Sequence, residues 1–234
     1  MACGSRSTSI RSNGRPGLDK LAFVSEEDKA KRATAGINDE GAPEGRDHDE
    51  PRIDPEIAAR RQAALSFVRR LGDPVLKSRA AEVDRFDDSL RKQAARMGGL
   101  MVDALGVGLA APQLGISQRM FVYRLGRDAP LAAVVNPEIE WSSGEQETLE
   151  EGCLSVPGVV VDVDRPLHVR VRAQDERGDE RLIEASGLEA RVIQHELDHL
   201  DGVLMLDRAS REERKRAMRE LRDAERERGR EEAA

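Results

Sequence analysis

No segment of this 234-residue chain approaches the ~20 consecutive apolar residues of a membrane-spanning helix, so no membrane association is expected. Residues 1–20 also lack the apolar block of a secretory signal. Cysteine is nearly absent. Cys3 and Cys153 lie far apart in very different surroundings, which argues against a structural disulfide and for a reducing compartment. The cytoplasm is therefore the expected location, with an organelle as the alternative because residues 1–16 are rich in Arg and Ser and contain no acid. Apolar residues make up 38% of the chain and charged residues 35%, too polar a balance for one core to run its full length. The net charge of −7 argues against a general nucleic-acid binder.

Three regions follow from the pattern. Residues 1–54 have scattered apolar positions without a sustained period and read as a disordered N-terminal extension. Residues 55–207 form the expected catalytic domain. In it, Ile57, Ala58, Arg61, Leu65, Val68 and Leu71 recur at helical spacing before Gly72-Asp73-Pro74. Asp87 can cap a second helix whose stripe is Leu90, Ala94, Met97 and Met101, with Gly106 ending it. Short strand-like runs then lie at 120–125, 131–135, 147–154, 159–163, 167–173 and 180–184. Ser186 and Glu189 have the spacing of a capping box, so a further helix should begin near Gly187 and stop at Gly202. A helix after several antiparallel strands implies an α+β fold, with antiparallel sheets packed around that central helix. Residues 208–234 carry ten Lys or Arg and eight Asp or Glu over a thin stripe of Ala217, Met218, Leu221 and Ala224. They read as a charged C-terminal helix or tail that barely docks.

The central helix holds Gln194-His195-Glu196-Leu197-Asp198-His199. His195 and His199, four apart, project from one face and can bind one metal ion, while Glu196 lies beside that face as a possible base. Two histidines do not complete a catalytic metal site, which commonly has three protein ligands and an open position. No histidine follows His199, and His48 and His168 lack ligand spacing. Cys153, in Glu151-Gly152-Cys153-Leu154-Ser155, is the better third ligand. Gly106-Val107-Gly108-Leu109-Ala110-Ala111-Pro112-Gln113 reads as a loop with one functional side chain, Gln113. Its amide can donate to an oxyanion or simply bond local backbone.

Together these three stretches, in this order, resemble peptide deformylase over residues 72–208. The resemblance implies removal of the N-formyl group from the formylmethionine of newly made polypeptides, with release of formate. It implies one divalent metal on Cys153, His195 and His199, iron(II) in the first place, with zinc, nickel or cobalt as substitutes. Glu196 becomes the general base, Gln113 and the Leu154 amide the oxyanion donors, and Val107, Gly108, Leu154 and Val192 the substrate contacts. The polar residues that often follow the family's second motif are replaced by Gly158-Val159-Val160 after Pro157. A monomer is expected, and residues 208–234 are a candidate ribosome contact, as the family's C-terminal helix is. The alternatives are a small metalloprotease, or a ribosome-associated binding protein with a vestigial metal site.

Overall fold

The computed structural model describes residues 54–231, so Cys3, His48 and the extension read as disordered lie outside the described residues. Helix α1 (Pro55–Leu65) starts on Asp54, whose side chain accepts from the Glu56 amide. It stops at Leu65 instead of continuing to Leu71, although Val68 is still buried. Helix α2 (Asp88–Asp103) is capped as its sequence indicated, with Asp87 accepting from the amides of Ser89 and Leu90. Its end differs from expectation. The left-handed residue there is Leu105 (φ 60°), and the Gly106 amide returns to the Met101 carbonyl.

Seven strands follow: β1 (Gly108–Ala110), β2 (Met120–Tyr123), β3 (Ala132–Ser142), β4 (Gln146–Cys153), β5 (Val156–Pro166), β6 (His168–Gln174) and β7 (Glu180–Ser186). β1 lies inside the stretch read as a loop, too short for a sequence period to show, and pairs Gly108 with Tyr123 of β2. One antiparallel sheet has the order β1-β2-β3-β6-β7, and β4 and β5 form a separate antiparallel hairpin. Helix α3 (Leu188–Leu200), the short α4 (Met205–Arg208) and α5 (Arg211–Glu231) complete the chain.

The larger sheet is covered on both faces where the site is built. Phe121, Tyr123, Val134 and Ala110 face α3, through Ala190, Ile193 and Leu197. Their neighbours Met120, Val122, Val135 and Leu109 face α2, through Leu90, Ala94, Met97 and Met101. All four residues of β2 are therefore buried, whereas β6 alternates buried Val169, Val171 and Ala173 with exposed Arg170 and Arg172. Met97 and Met101 are core filling, each worth about 1.5–3 kcal/mol of burial.

The hairpin packs elsewhere. Cys153, Val156, Val159, Val161 and Val163 form a cluster with Met205 and Leu206 of α4 and Ala217 of α5, with Met218 and Leu221 at its margin. The C-terminal helix thus docks through three of its four stripe residues, and Ala224 alone stays exposed. Polar bonds at the hairpin edge supplement the thin stripe: Arg216 donates to the Val160 carbonyl and Glu213 accepts from the Asp162 amide.

Candidate active site

Strand period and helix period bring the candidate ligands together. On β4, Glu151 and Cys153 are two residues apart and so face one side of the hairpin. Cys153 pairs with Val156, leaving Leu154-Ser155 as a two-residue turn directly after the thiol. On α3, His195 and His199 present their rings edge to face, with centroids 5.0 Å apart. α3 begins where expected, but not by the expected cap. Its N-cap is Gly187 at φ 57°, with no side-chain cap. Ser186 instead ends β7 and bonds His168 Nδ1, and Glu189 accepts from the Tyr123 hydroxyl. At the other end, the Arg119 guanidinium contacts Asp201 at 2.6 Å and the Leu200 carbonyl at 3.5 Å, a cation against the negative end of the helix.

One ligand atom each from Cys153, His195 and His199 lies within 4.8 Å of the others, and Cys153 Sγ is 3.2 Å from His199 Nε2. Donors of a tetrahedral centre with bonds of about 2.0–2.3 Å sit about 3.3–3.7 Å apart, so this thiol and these imidazoles fit a metal ion. His195 Nδ1 contacts Glu151 Oε2 at 2.9 Å, which leaves Nε2 for the centre. Burial alone would raise the Cys153 pKa, but His199 and His195 beside the sulfur hold it well below the usual thiol range. Burial likewise opposes charge on His195, yet Cys153 and Glu151 outweigh it and the ring's pKa lies well above the usual value. A sulfur whose anionic form is favoured, beside two imidazoles, is a donor set suited to a cation.

Glu196 is buried, and its Oε2 has no hydrogen-bond partner among the described residues. Burial pushes its pKa up to about 7, with His195 and His199 pulling the other way. Gly108 is what admits it: a Cβ on that residue would sit 2.3 Å from Glu196 Oε1. Gln113 bonds local backbone, one of the two readings of its amide. Its Oε1 accepts from the Ala110 amide at 2.8 Å, which turns Nε2 toward Cys153 Sγ at 3.6 Å and Ser155 Oγ at 3.3 Å. The backbone between α1 and the first strand staples the two loops, Arg69 donating to the Gln113 carbonyl and Leu71 to that of Ser155.

The family model described as polypeptide deformylase matches residues 66–215. The chain belongs to the polypeptide deformylase family. A peptide deformylase of Natranaerobius thermophilus is 47% identical over 146 residues, 62% of this chain and 93% of that one. Among solved structures, the peptide deformylase of Synechococcus elongatus in complex with actinonin is 44% identical at a TM-score of 0.64, covering 67% of this chain and 86% of that one. The Legionella pneumophila peptide deformylase is 41% identical at a TM-score of 0.66, covering 70% and 96%.

Parts of this deformylase site were not singled out by motif reading. Ser155, fully buried, places its amide 3.4 Å from the Cys153 sulfur and its hydroxyl against Gln113. Glu151 receives Arg165 in a two-pronged contact (2.8 and 2.9 Å), Arg191 at 2.8 Å and His195. Two sequence signals pointed there: Glu151 shares a strand face with Cys153, and Asp198 lies three residues after His195 on α3. Val107 is buried and its carbonyl pairs with the Arg124 amide; Val192 is wholly enclosed in the core between α3 and the sheet.

Proposed function

We propose that Cys153, His195 and His199 hold one divalent ion, iron(II) by preference with zinc, nickel or cobalt as substitutes, and that the site hydrolyses the formyl amide of formylmethionyl peptides. The observation that carries this reading is the convergence of one thiolate and two imidazoles beside a buried, unpartnered carboxylate. An ion held there supplies Lewis acidity that makes a water nucleophilic near neutral pH. Glu196, whose pKa burial raises, would take a proton from the attacking water and hand it to the leaving amine as formate departs. Gln113 Nε2, held by the Ala110 bond, and the Leu154 amide donate to the oxyanion that develops on the formyl oxygen. Val107, Gly108 and Leu154 are assigned to substrate contact, with the peptide running beside β1, and Val192, enclosed on α3, to the wall that lines the substrate pocket.

We assign residues 55–207 as the catalytic unit of a monomer, working in the cytoplasm where nascent chains emerge. No helix among the described residues is long and apolar enough to cross a membrane. Anaerobic protein loaded with iron(II) is expected to release stoichiometric formate from formyl-Met-Ala-Ser and to leave casein intact. Casein cleavage, or no formate from metal-loaded protein, contradicts the assignment.

Residues 208–234 are assigned to ribosome contact. Arg211, Arg214, Lys215, Arg219 and Arg222 line one exposed face of α5, a surface suited to RNA phosphates. Because Ala217 closes the Cys153 cluster, truncation would confound docking with misfolding. Replacing these five cations with Glu is the cleaner change. It is expected to abolish co-sedimentation with ribosomes at low salt while formate release from the free peptide persists; unchanged pelleting excludes this face.

A further inference from the structure

Asp198 lies between His195 and His199 in sequence but is not one of the three ligands; its carboxylate is held by two arginines. Its Oδ2 accepts from Arg165 Nη1 at 2.6 Å and from Arg208 Nε at 3.1 Å, and its Oδ1 accepts from Arg208 Nη2 at 2.6 Å. Arg165 in turn grips Glu151 with Nε and Nη2, and Glu151 holds His195 Nδ1. A continuous chain of charge-assisted bonds therefore runs from Arg208, the last residue of α4, to a metal-binding ring. Exposure falls along it, with side chains at 49% for Arg208, 9% for Asp198, 5% for Arg165 and 0% for Glu151.

We propose that Arg208 is a positioning residue of the metal centre, acting through Asp198, Arg165 and Glu151 to fix the orientation of His195. The inference rests on the assignment of Cys153, His195 and His199 as ligands. Among the hydrogen bonds of the described residues, Arg208 is the one donor to Asp198 Oδ1. Without it, a nearly buried carboxylate oxygen loses its partner and keeps the full desolvation penalty of an unpaired charge. The nearest donors that can relieve it belong to Arg165, whose Nη1 already contacts Asp198. Any rotation of Arg165 toward Asp198 withdraws its two-pronged support from Glu151. Glu151 then holds His195 through a looser geometry, and the ring's Nε2 loses its aim. Arg208 suits this role because its guanidinium is half in water, so replacing it strands no cation in the core.

The test uses full-length protein in which cobalt(II) replaces the native metal. Wild-type protein should bind one cobalt with ligand-field and thiolate charge-transfer bands. Arg208→Gln is expected to bind cobalt and zinc about 10-fold more weakly in chelator competition, the lower end of the range for changes behind a ligand. Its cobalt bands should shift, and kcat for formyl-Met-Ala-Ser should fall with KM unchanged. Arg208→Lys, which keeps the charge but not the two-pronged contact, should recover part of the affinity. Arg79→Gln removes a longer, more exposed arginine pair with Asp201, just past α3, and should leave metal affinity and spectrum unaltered. If Arg208→Gln lowers only the melting temperature, with wild-type cobalt spectrum and affinity, Arg208 is a structural residue and the inference fails. If wild-type protein itself binds no cobalt at this site, the ligand assignment fails and takes the inference with it.

Discussion

Glu196→Gln is expected to lower kcat for formyl-peptide hydrolysis by about 10²–10⁴-fold while leaving one metal ion bound. The carboxylate contributes no ligand atom to the Cys153, His195 and His199 group, so removing its charge leaves the donors in place. What is lost is a group whose pKa of about 7 lets it accept a proton and return it near neutral pH. A glutamine of the same shape still fits against Gly108 but cannot carry that proton. Metal loss together with activity loss would show that the residue supports the ligands, and undiminished turnover would remove it from the mechanism.

The same substitution has a signature in the metal-free protein, with the opposite sign. Glu196 is buried and its folded pKa lies above the ordinary glutamate value. The folded state therefore keeps its proton, and the associated stability, below the unfolded pKa and loses that stability as pH rises through about 7. The full loss is on the order of 3 kcal/mol. Glu196→Gln escapes it, so urea denaturation of the metal-free proteins should show the variant gaining on wild type between pH 5 and pH 8. A difference that stays constant over that interval would mean that the Glu196 pKa is not raised in the folded protein.

The ligand set was legible from sequence because each part obeys a short local rule. Helical spacing put His195 and His199 on one face, and alternating apolar residues marked most strands. Cys153 stood out by elimination, as the one cysteine within the region of strands and helices. Features decided by contacts between distant segments were not legible. β1 is only three residues long, and its strand character comes from pairing with β2. Ser186 and Glu189 had the right spacing for a cap, but the β7 backbone carries Ser186 to His168 and Tyr123 claims Glu189. The docking of α5 depends on Glu213 and Arg216 meeting an open hairpin edge, which a count of apolar residues cannot register. The charged layer behind the metal site drew its members from β4, β5, α3 and α4, so no single window of sequence contained it.

That charged layer yields the largest expected loss of stability. Glu151 is fully buried and accepts from Arg165 twice, Arg191 once and His195 once. Burial would raise its pKa, but Arg165 and His195 outweigh burial and hold it well below the carboxylate range. Removing the charge with Glu151→Gln leaves Arg165 with Asp198, and Arg191 with the Val163 and Glu147 carbonyls, beside a weaker neutral acceptor, and it turns an amide N–H₂ toward the two cations. Breaking a buried ion pair from one side costs about 3–5 kcal/mol. Against a total stability of about 5–15 kcal/mol, that places the metal-free variant near the edge of folding at 37 °C. The pH dependence runs opposite to that of Glu196. A carboxyl with a depressed folded pKa contributes stability above its unfolded value and loses it as pH falls through the folded one, so acid should narrow the gap between variant and wild type. Metal should stabilise both proteins, since an ion that binds only the folded state adds RT ln(1 + [L]/Kd), but it should widen the gap between them. The gain should be smaller per unit of added zinc than in wild type, because His195 loses the carboxylate that orients it and affinity falls about 10–100-fold. Urea midpoints of metal-free and zinc-loaded proteins at pH 7.5 measure both effects. Equal midpoints for wild type and Glu151→Gln without metal would mean that Asp198 and the two carbonyls suffice for Arg165 and Arg191, and that Glu151 orients His195 without holding the fold.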